Sequence, residues 1–221
     1  MVITLYHFPI SGPSRAALLA AKALDVNIDV QIVDLFKKEQ FKEDFLKINP
    51  QHTVPTLTDG DFTIWDSHAI GPYLATVYGN DPNFYPSNPK EKALVDQRLY
   101  FDCGTLYPRI RAICFPILYL GEDQILDELK QPLEEALGFL DVFLDSNKFV
   151  TGDHLTVADC SLVASVSSIV AVGWDVTPYA NVNNWITRCA LTIPDYEEAN
   201  QAGANQFGKA VRSKLASGQL P

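Results

Sequence analysis

Cysteine is sparse in these 221 residues, and its four copies, Cys103, Cys114, Cys160 and Cys189, lie too far apart for a C-x-x-C redox pair or a zinc-ligand spacing. They read as reduced, mostly buried thiols. Cations are also few: 17 Lys and Arg stand against 27 Asp and Glu, a net charge of −10. Such a field repels phosphate backbones and anionic membrane surfaces, which argues against nucleic acid or a membrane as partner. An anionic ligand would have to be held by local donors against the global charge. No apolar run reaches bilayer length; the most apolar later stretch, 157–172, carries Asp159 and several Ser and Cys positions and reads as a buried helix. The chain enters an alternating Val-Ile-Thr-Leu-Tyr run without a basic leader or a small-residue cleavage site, which predicts a cytoplasmic protein. Internal repeats and low-complexity segments are lacking too.

What is present is 47% hydrophobic residue content, ordinary for a folded protein with a real core. Periodicity predicts a strand over 3–8, a helix over 14–24, a second strand over 30–35 and a short helix over 41–48. Two short strands, 56–58 and 62–65, flank the acidic glycine turn Asp59-Gly60-Asp61, and a helix over 68–78 follows. The order βαβαββα predicts an α/β domain over 1–79. Residues 80–89, with their prolines and asparagines, read as a linker, and 90–221 as an all-helical domain. Apolar residues at 99, 103, 106, 110, 113 and 117 put one stripe along a long helix that Pro108 and Pro116 should bend. Ile125, Leu129, Leu133, Leu137, Leu140 and Leu144 form a second stripe that should pack against it. Thr156-Val-Ala-Asp159 is a capping box, and the helix it starts is apolar all round.

Three places carry chemistry. Ser11 lies in the loop between the first strand and the first helix; it is a cap or turn residue, or a hydroxyl that donates to a bound anion. No histidine and aspartate accompany it in the manner of a hydrolase triad. His52-Thr53-Val54-Pro55-Thr56 precedes a strand, where a proline, cis or trans, makes a sharp turn; it is either a turn into the strand or a backbone edge on which an extended peptide pairs through Val54. Asp66-Ser67 is an N-cap, or else a site in which helix N–H groups and the serine hydroxyl take a carboxylate while the aspartate pairs with an α-amino group.

In order, Tyr6 to Ala16 (YHFPISGPSRA), Asn49-Pro-Gln-His-Thr-Val-Pro-Thr56, Trp65-Asp-Ser-His-Ala-Ile70, Asp96-Gln-Arg-Leu-Tyr-Phe101 and Leu155-Thr-Val-Ala-Asp159 resemble the cytosolic glutathione transferases of the insect delta and epsilon type over nearly the whole chain. The resemblance implies a thioredoxin-like α/β domain that binds glutathione, followed by an all-α domain that supplies the hydrophobic substrate site. It implies that Ser11 is the catalytic serine, whose hydroxyl stabilises the glutathione thiolate. By the same likeness His52 contacts the glycine end, Val54 before Pro55 clamps the cysteinyl unit, and Asp66 and Ser67 hold the γ-glutamyl end. His68 stands where the family usually has arginine, and Gln40 where the delta group commonly has a further histidine.

The second substrate is expected against the long helix, where Tyr107, Arg111, Phe115 and Tyr119 recur at roughly four-residue spacing; for the aromatics a core stripe is the alternative. Ile10, Pro13 and Phe207 complete the wall by resemblance. The family further implies a homodimer, glutathione as co-substrate without a metal, and xenobiotic detoxification, including insecticide resistance. A thiol-disulfide oxidoreductase is disfavoured because the first loop holds Ser11 and Ser14 rather than cysteine. A non-catalytic ligand carrier of the same fold, and a glutathione-dependent isomerase, peroxidase or dehydrohalogenase, stay as alternatives.

Overall fold

The computed structural model describes residues 3–216. Strand β1 (Ile3–His7) is central and alternates buried and half-buried side chains, as a strand covered mainly on one face does. Helix α1 (Gly12–Ala23) returns the chain to β2 (Ile28–Ile32), which pairs parallel to β1 with Ile3 opposite Ile28 and His7 opposite Ile32. Helix α2 (Glu43–Ile48), β3 (Thr56–Asp59), β4 (Phe62–Trp65) and α3 (Ser67–Tyr78) follow. β3 is antiparallel to both β1 and β4, so the mixed sheet has the order β2-β1-β3-β4. This is the thioredoxin-like βαβαββα arrangement expected.

Two elements differ from the sequence expectation. The second strand ends at Ile32, not Leu35, because the Asp34 carboxylate accepts from the N–H groups of Phe36 and Lys37 at 3.0 and 3.2 Å and bends the chain away from the sheet. The helix expected over 41–48 begins only at Glu43, since Lys42 is extended and a 3₁₀ turn occupies Glu39–Phe41. Of Phe41, Phe45 and Ile48, only Phe45 is buried.

After α3 the chain crosses a stretch without helix or strand in which Phe84 is nevertheless fully buried, its carbonyl accepting from the Val157 N–H at 3.0 Å. Helices α4 (Pro89–Phe101) and α5 (Tyr107–Phe115) are joined by a π-turn, Asp102–Leu106, and a second π-turn, Pro116–Leu120, ends the run at Gly121. The widened turn moves the buried face by one residue: Asp102 is buried where the stripe placed Cys103, and Cys103 is exposed. The other stripe positions, Leu99, Leu106, Ile110, Ile113 and Ile117, are buried, and so are the remaining three cysteines.

Helix α6 (Asp127–Phe143) packs its leucine stripe against this run, and Arg109 of α5 reaches Glu135 of α6 at 3.0 Å. Helix α7 (Val157–Val172) is buried on nearly every side. Its capping box is formed, with the Thr156 N–H and hydroxyl both donating to Asp159 at 2.9 Å. Helices α8 (Ala180–Thr192) and α9 (Ala202–Arg212), the latter preceded by a π-turn at Glu197–Gln201, complete the all-helical part. Because α7 packs against both α1 and α3, it is the floor shared by the two halves.

Candidate functional site

Ser11 is the N-cap of α1. Its N–H donates to the Phe8 carbonyl at 2.9 Å, and its Oγ accepts from the Ser14 N–H at 3.3 Å. The hydroxyl hydrogen is given to no protein acceptor among the described residues, so it stays available as a donor at a positive helix end. The loop is braced from beneath by fully buried Arg15, which donates to the carbonyls of Pro9 (3.2 Å), Ile10 (3.0 Å) and Ala164 (3.0 Å), to Asn200 Oδ1 (2.9 Å) and to Ser168 Oγ. Burial lowers the Arg15 pKa to about 10, which still leaves a cation at neutral pH. Gly203 permits the close approach of α9: a Cβ there would lie 2.2 Å from the Pro9 carbonyl oxygen.

Above this loop opens a cleft of about 560 Å³ between the two halves. Ile10, Ser11 and Pro13 line one side; Tyr107, Arg111, Phe115 and Tyr119 line the other, with Phe207 of α9. The core-stripe alternative for these aromatics fails because the buried ridge of this helix run is Ile110, Ile113 and Ile117, while Tyr119 is 45% exposed. Phe115 and Tyr119 have ring centroids 5.0 Å apart, and the Arg111 guanidinium lies 4.0 Å over the Phe115 ring. Burial pushes the Tyr107 hydroxyl up to about 12, so it faces the cleft as a neutral phenol. His52 and Val54 line it as well.

A second cleft, about 330 Å³, holds Pro55, Asp66, Ser67 and His68, and adjoins the first through Pro13, Thr53, Val54 and Tyr107, which line both. The Val54–Pro55 peptide is cis. Buried Asn49 fixes this turn, donating to the Thr53 carbonyl (3.1 Å) and to the hydroxyls of Thr53 (3.0 Å) and Thr56 (2.8 Å). Asp66 caps α3 with a positive φ of 76°, accepting from the His68 N–H at 2.9 Å. Ser67 therefore opens the helix, and with it the unpaired N–H groups of the first turn, at the second cleft, which it lines.

His68 bridges two carboxylates, with Nδ1 2.9 Å from Asp66 Oδ1 and Nε2 2.9 Å from Asp102 Oδ2. Ser161 of α7 also donates to Asp102, at 2.6 Å. Burial alone would lower the imidazole pKa, but the hydrogen bonds to Asp102 and Asp66 and their charges outweigh it and raise it to about 9. Its hydrogen bond in turn holds Asp66 below the usual carboxylate range. The ring is thus a cation at neutral pH, as the arginine of the resembled family would be. A folded-state pKa above the ordinary 6.5 means that the pair stabilises the protein fully below about pH 6.5 and loses that contribution as pH rises through about 9. The expected result is that the difference in melting temperature between wild type and His68→Gln is largest near pH 6 and closes by about pH 10, checked by thermal unfolding across that range; a difference independent of pH would remove the ion pairs.

All the site residues proposed from sequence thus line one or both clefts. Sequence reasoning misses Lys38 and Phe41 in the loop after β2, and Gln51, Trp65 and Cys103. No periodicity marks Lys38, and the helical spacing assigns Phe41 to a short helix and Cys103 to the core. Trp65 Nε1 donates to Gln51 Oε1 at 2.6 Å, so those two act as one wall. Gln40 lines the first cleft with a buried Oε1 that has no partner among the described residues. Among the described residues no three His, Cys, Asp or Glu side chains are grouped to hold a metal, and no helix is long and apolar enough to cross a membrane.

Residues 1–76 match the family "Glutathione S-transferase, N-terminal domain" and residues 123–188 match "Glutathione S-transferase, C-terminal domain". Among solved structures, the chain is similar to glutathione S-transferase unclassified 2 from Bombyx mori, with 52% identity and a TM-score of 0.94 over 98% of this chain and 100% of that one. It is similar to a delta-class glutathione transferase from Nilaparvata lugens, with 44% identity and a TM-score of 0.93 over 96% and 100% of the two chains. A glutathione transferase homolog from Drosophila mojavensis, with bound glutathione, shares 42% identity and a TM-score of 0.92 over 97% and 98%.

Proposed function

Because the chain belongs to the insect glutathione S-transferases of the delta/epsilon class, we propose that its glutathione transferase reaction runs at the junction of the two clefts, with Ser11 as the donor to the thiolate. The observation that carries this reading is that junction itself: the uncommitted Ser11 hydroxyl, at the N-terminus of α1, lies in the apolar cleft beside Pro13 and Val54, which the polar cleft shares. Glutathione is a peptide with an ammonium and a carboxylate at one end and a second carboxylate at the other. Asp66 and the Ser67 end of α3 suit the γ-glutamyl group, the Val54 backbone suits the cysteinyl unit, and His52 with Lys38 suits the glycine carboxylate. The thiolate then points to the wall formed by Ile10, Tyr107, Phe115, Tyr119 and Phe207, where an apolar electrophile would sit. Neither a metal nor a covalent enzyme intermediate is needed: the sulfur forms a bond to the electrophilic carbon, the leaving group departs with its electron pair, and the thiol proton goes to water.

The test is conjugation of glutathione to 1-chloro-2,4-dinitrobenzene by the purified protein, in which the C–S bond forms and chloride is released. Conjugation supports the assignment. Glutathione binding without conjugation would point instead to an isomerase, a peroxidase or a ligand carrier, and absence of binding would overturn the site. Within this reading, Asp66→Ala and Ser67→Ala raise the glutathione KM by roughly three- to tenfold each with little change in kcat, since a charge-assisted hydrogen bond at a partly open site is worth less than a buried one. Steady-state kinetics with glutathione varied reads this directly, and an unchanged KM would remove the residue from the γ-glutamyl site. A homodimer is part of the same reading; it is supported by exposed apolar side chains on successive elements, Phe62 on β4, Val77 on α3, and Leu94 and Tyr100 on α4.

A further inference from the structure

The charges lining the larger cleft are the reverse of those on the molecule. Acidic residues outnumber basic ones 27 to 17 in the chain, yet no Asp or Glu lines this cleft, while Lys38, His52 and Arg111 do. Resting on the site proposed above, glutathione accounts for Lys38 and His52. Its γ-glutamyl end goes to Asp66 and Ser67 in the other cleft, and its glycine carboxylate to Lys38 and His52, both on loops of the α/β half. Arg111 is left over, on the opposite wall.

Arg111 also differs from the other arginines near it. Arg109, two residues earlier, pairs with Glu135 at 3.0 Å, and Arg15 spends its donors on buried acceptors. Arg111 pairs with no carboxylate among the described residues; its guanidinium is laid 4.0 Å over the Phe115 ring. Stacking of this kind fixes the guanidinium plane and leaves the N–H fork at its edge for another partner. A planar fork in an otherwise apolar wall matches a carboxylate or sulfonate in geometry and charge.

We infer that the electrophiles preferred by this enzyme carry an anionic group, and that Arg111 is the residue that selects them. The apolar body of such a molecule lies against Phe115, Tyr119 and Phe207, and its acidic group turns to Arg111.

The test compares two aryl chlorides, neutral 1-chloro-2,4-dinitrobenzene and anionic 4-chloro-3,5-dinitrobenzoate, with each kcat/KM divided by the rate constant of the uncatalysed reaction with glutathione. In both, the glutathione sulfur replaces chloride, so the ratio of the two isolates recognition of the acid. Arg111→Gln should lower the acid-to-neutral ratio about tenfold, Arg111→Lys should keep part of it, and the wild-type ratio should fall with added sodium chloride because the site is open to solvent. If Arg111→Gln lowers both values equally, or leaves the ratio unchanged, the side chain is only packing and the inference falls while the transferase site stands. Failure of the wild type to bind glutathione or to conjugate either chloride would overturn both.

Discussion

Replacing Ser11 with alanine is expected to lower kcat about 10- to 100-fold near pH 6.5 while changing glutathione affinity far less, because the hydroxyl matters to the charged sulfur and hardly at all to the neutral thiol. A free thiol titrates near 8.5, and lowering that by about 2 units takes about 2.7 kcal/mol of preferential thiolate stabilisation. One hydrogen bond to a charged group supplies roughly 1.5–3 kcal/mol, and a helix N-terminus about 0.3–1 kcal/mol. In the proposed site one residue would supply both: Ser11 caps α1, and its Oγ accepts from the Ser14 N–H, which leaves the hydroxyl hydrogen free to donate. The same argument fixes the pH dependence. In the variant the bound thiol should titrate near its free value, so the deficit is greatest at low pH and shrinks as pH approaches about 9, where the sulfur ionises unaided. Rates across pH 6 to 9, read beside the ultraviolet thiolate band of bound glutathione, check both parts. Equal losses in kcat and in glutathione affinity, or a deficit constant with pH, would mean that Ser11 acts as a cap and nothing more.

The features legible in the sequence are those written in contiguous residues. The loop Pro9 to Ser11, the turn Asn49 to Thr56 and the cap Asp66-Ser67 each act through neighbours a few positions apart, so residue order alone marks each as a cap or turn and a candidate place for chemistry. The helix stripes from Leu99 to Ile117 and from Ile125 to Leu144 are legible because burial follows the 3.6-residue period. The second strand reads as too long because Val30, Ile32, Val33 and Leu35 continue an apolar run past Asp34, whose side chain ends the pairing from within that run. Cys103 reads as core because an i, i+3, i+4 count assumes an unbroken α-helix, and the π-turn at Asp102–Leu106 inserts a residue.

Least legible is the His68–Asp102–Ser161 chain. A histidine in place of arginine looks in sequence like a lost charge, whereas Asp102, 34 positions away, restores it by holding the ring protonated. Nothing local in either residue announces the other. Arg15 is similar: its position in the first helix is visible in sequence, but its bonds to Ala164 and Asn200 exist only once α7 and the π-turn before α9 are packed against the loop.

The capping box at the start of α7 combines both situations in one side chain, which makes Asp159→Ala the substitution expected to cost the most stability. The local half, the return of the carboxylate to Thr156, is legible; its Oδ2 accepts from the Thr156 N–H and hydroxyl at 2.9 Å each. The distant half is not: Oδ1 accepts from the Val150 N–H and from the Trp185 indole N–H, both at 2.9 Å. Burial raises the Asp159 pKa and these donors oppose the rise, so the carboxylate is a junction of α7, α8 and the turn before α7. Alanine leaves buried donors without an acceptor and a void beside a fully buried tryptophan, for an expected loss of about 3–5 kcal/mol. That corresponds to a fall of roughly 10 °C in melting temperature for a chain of this size. Thr156→Ala, which removes only the local cap hydroxyl, should cost about 1 kcal/mol. The gap between the two variants in denaturant unfolding measures the part of the junction made by tertiary contacts. Were Asp159→Ala to cost no more than the cap substitution, the bonds to Val150 and Trp185 would carry no weight, and α7 would owe its place as the floor shared by the two halves to apolar burial alone.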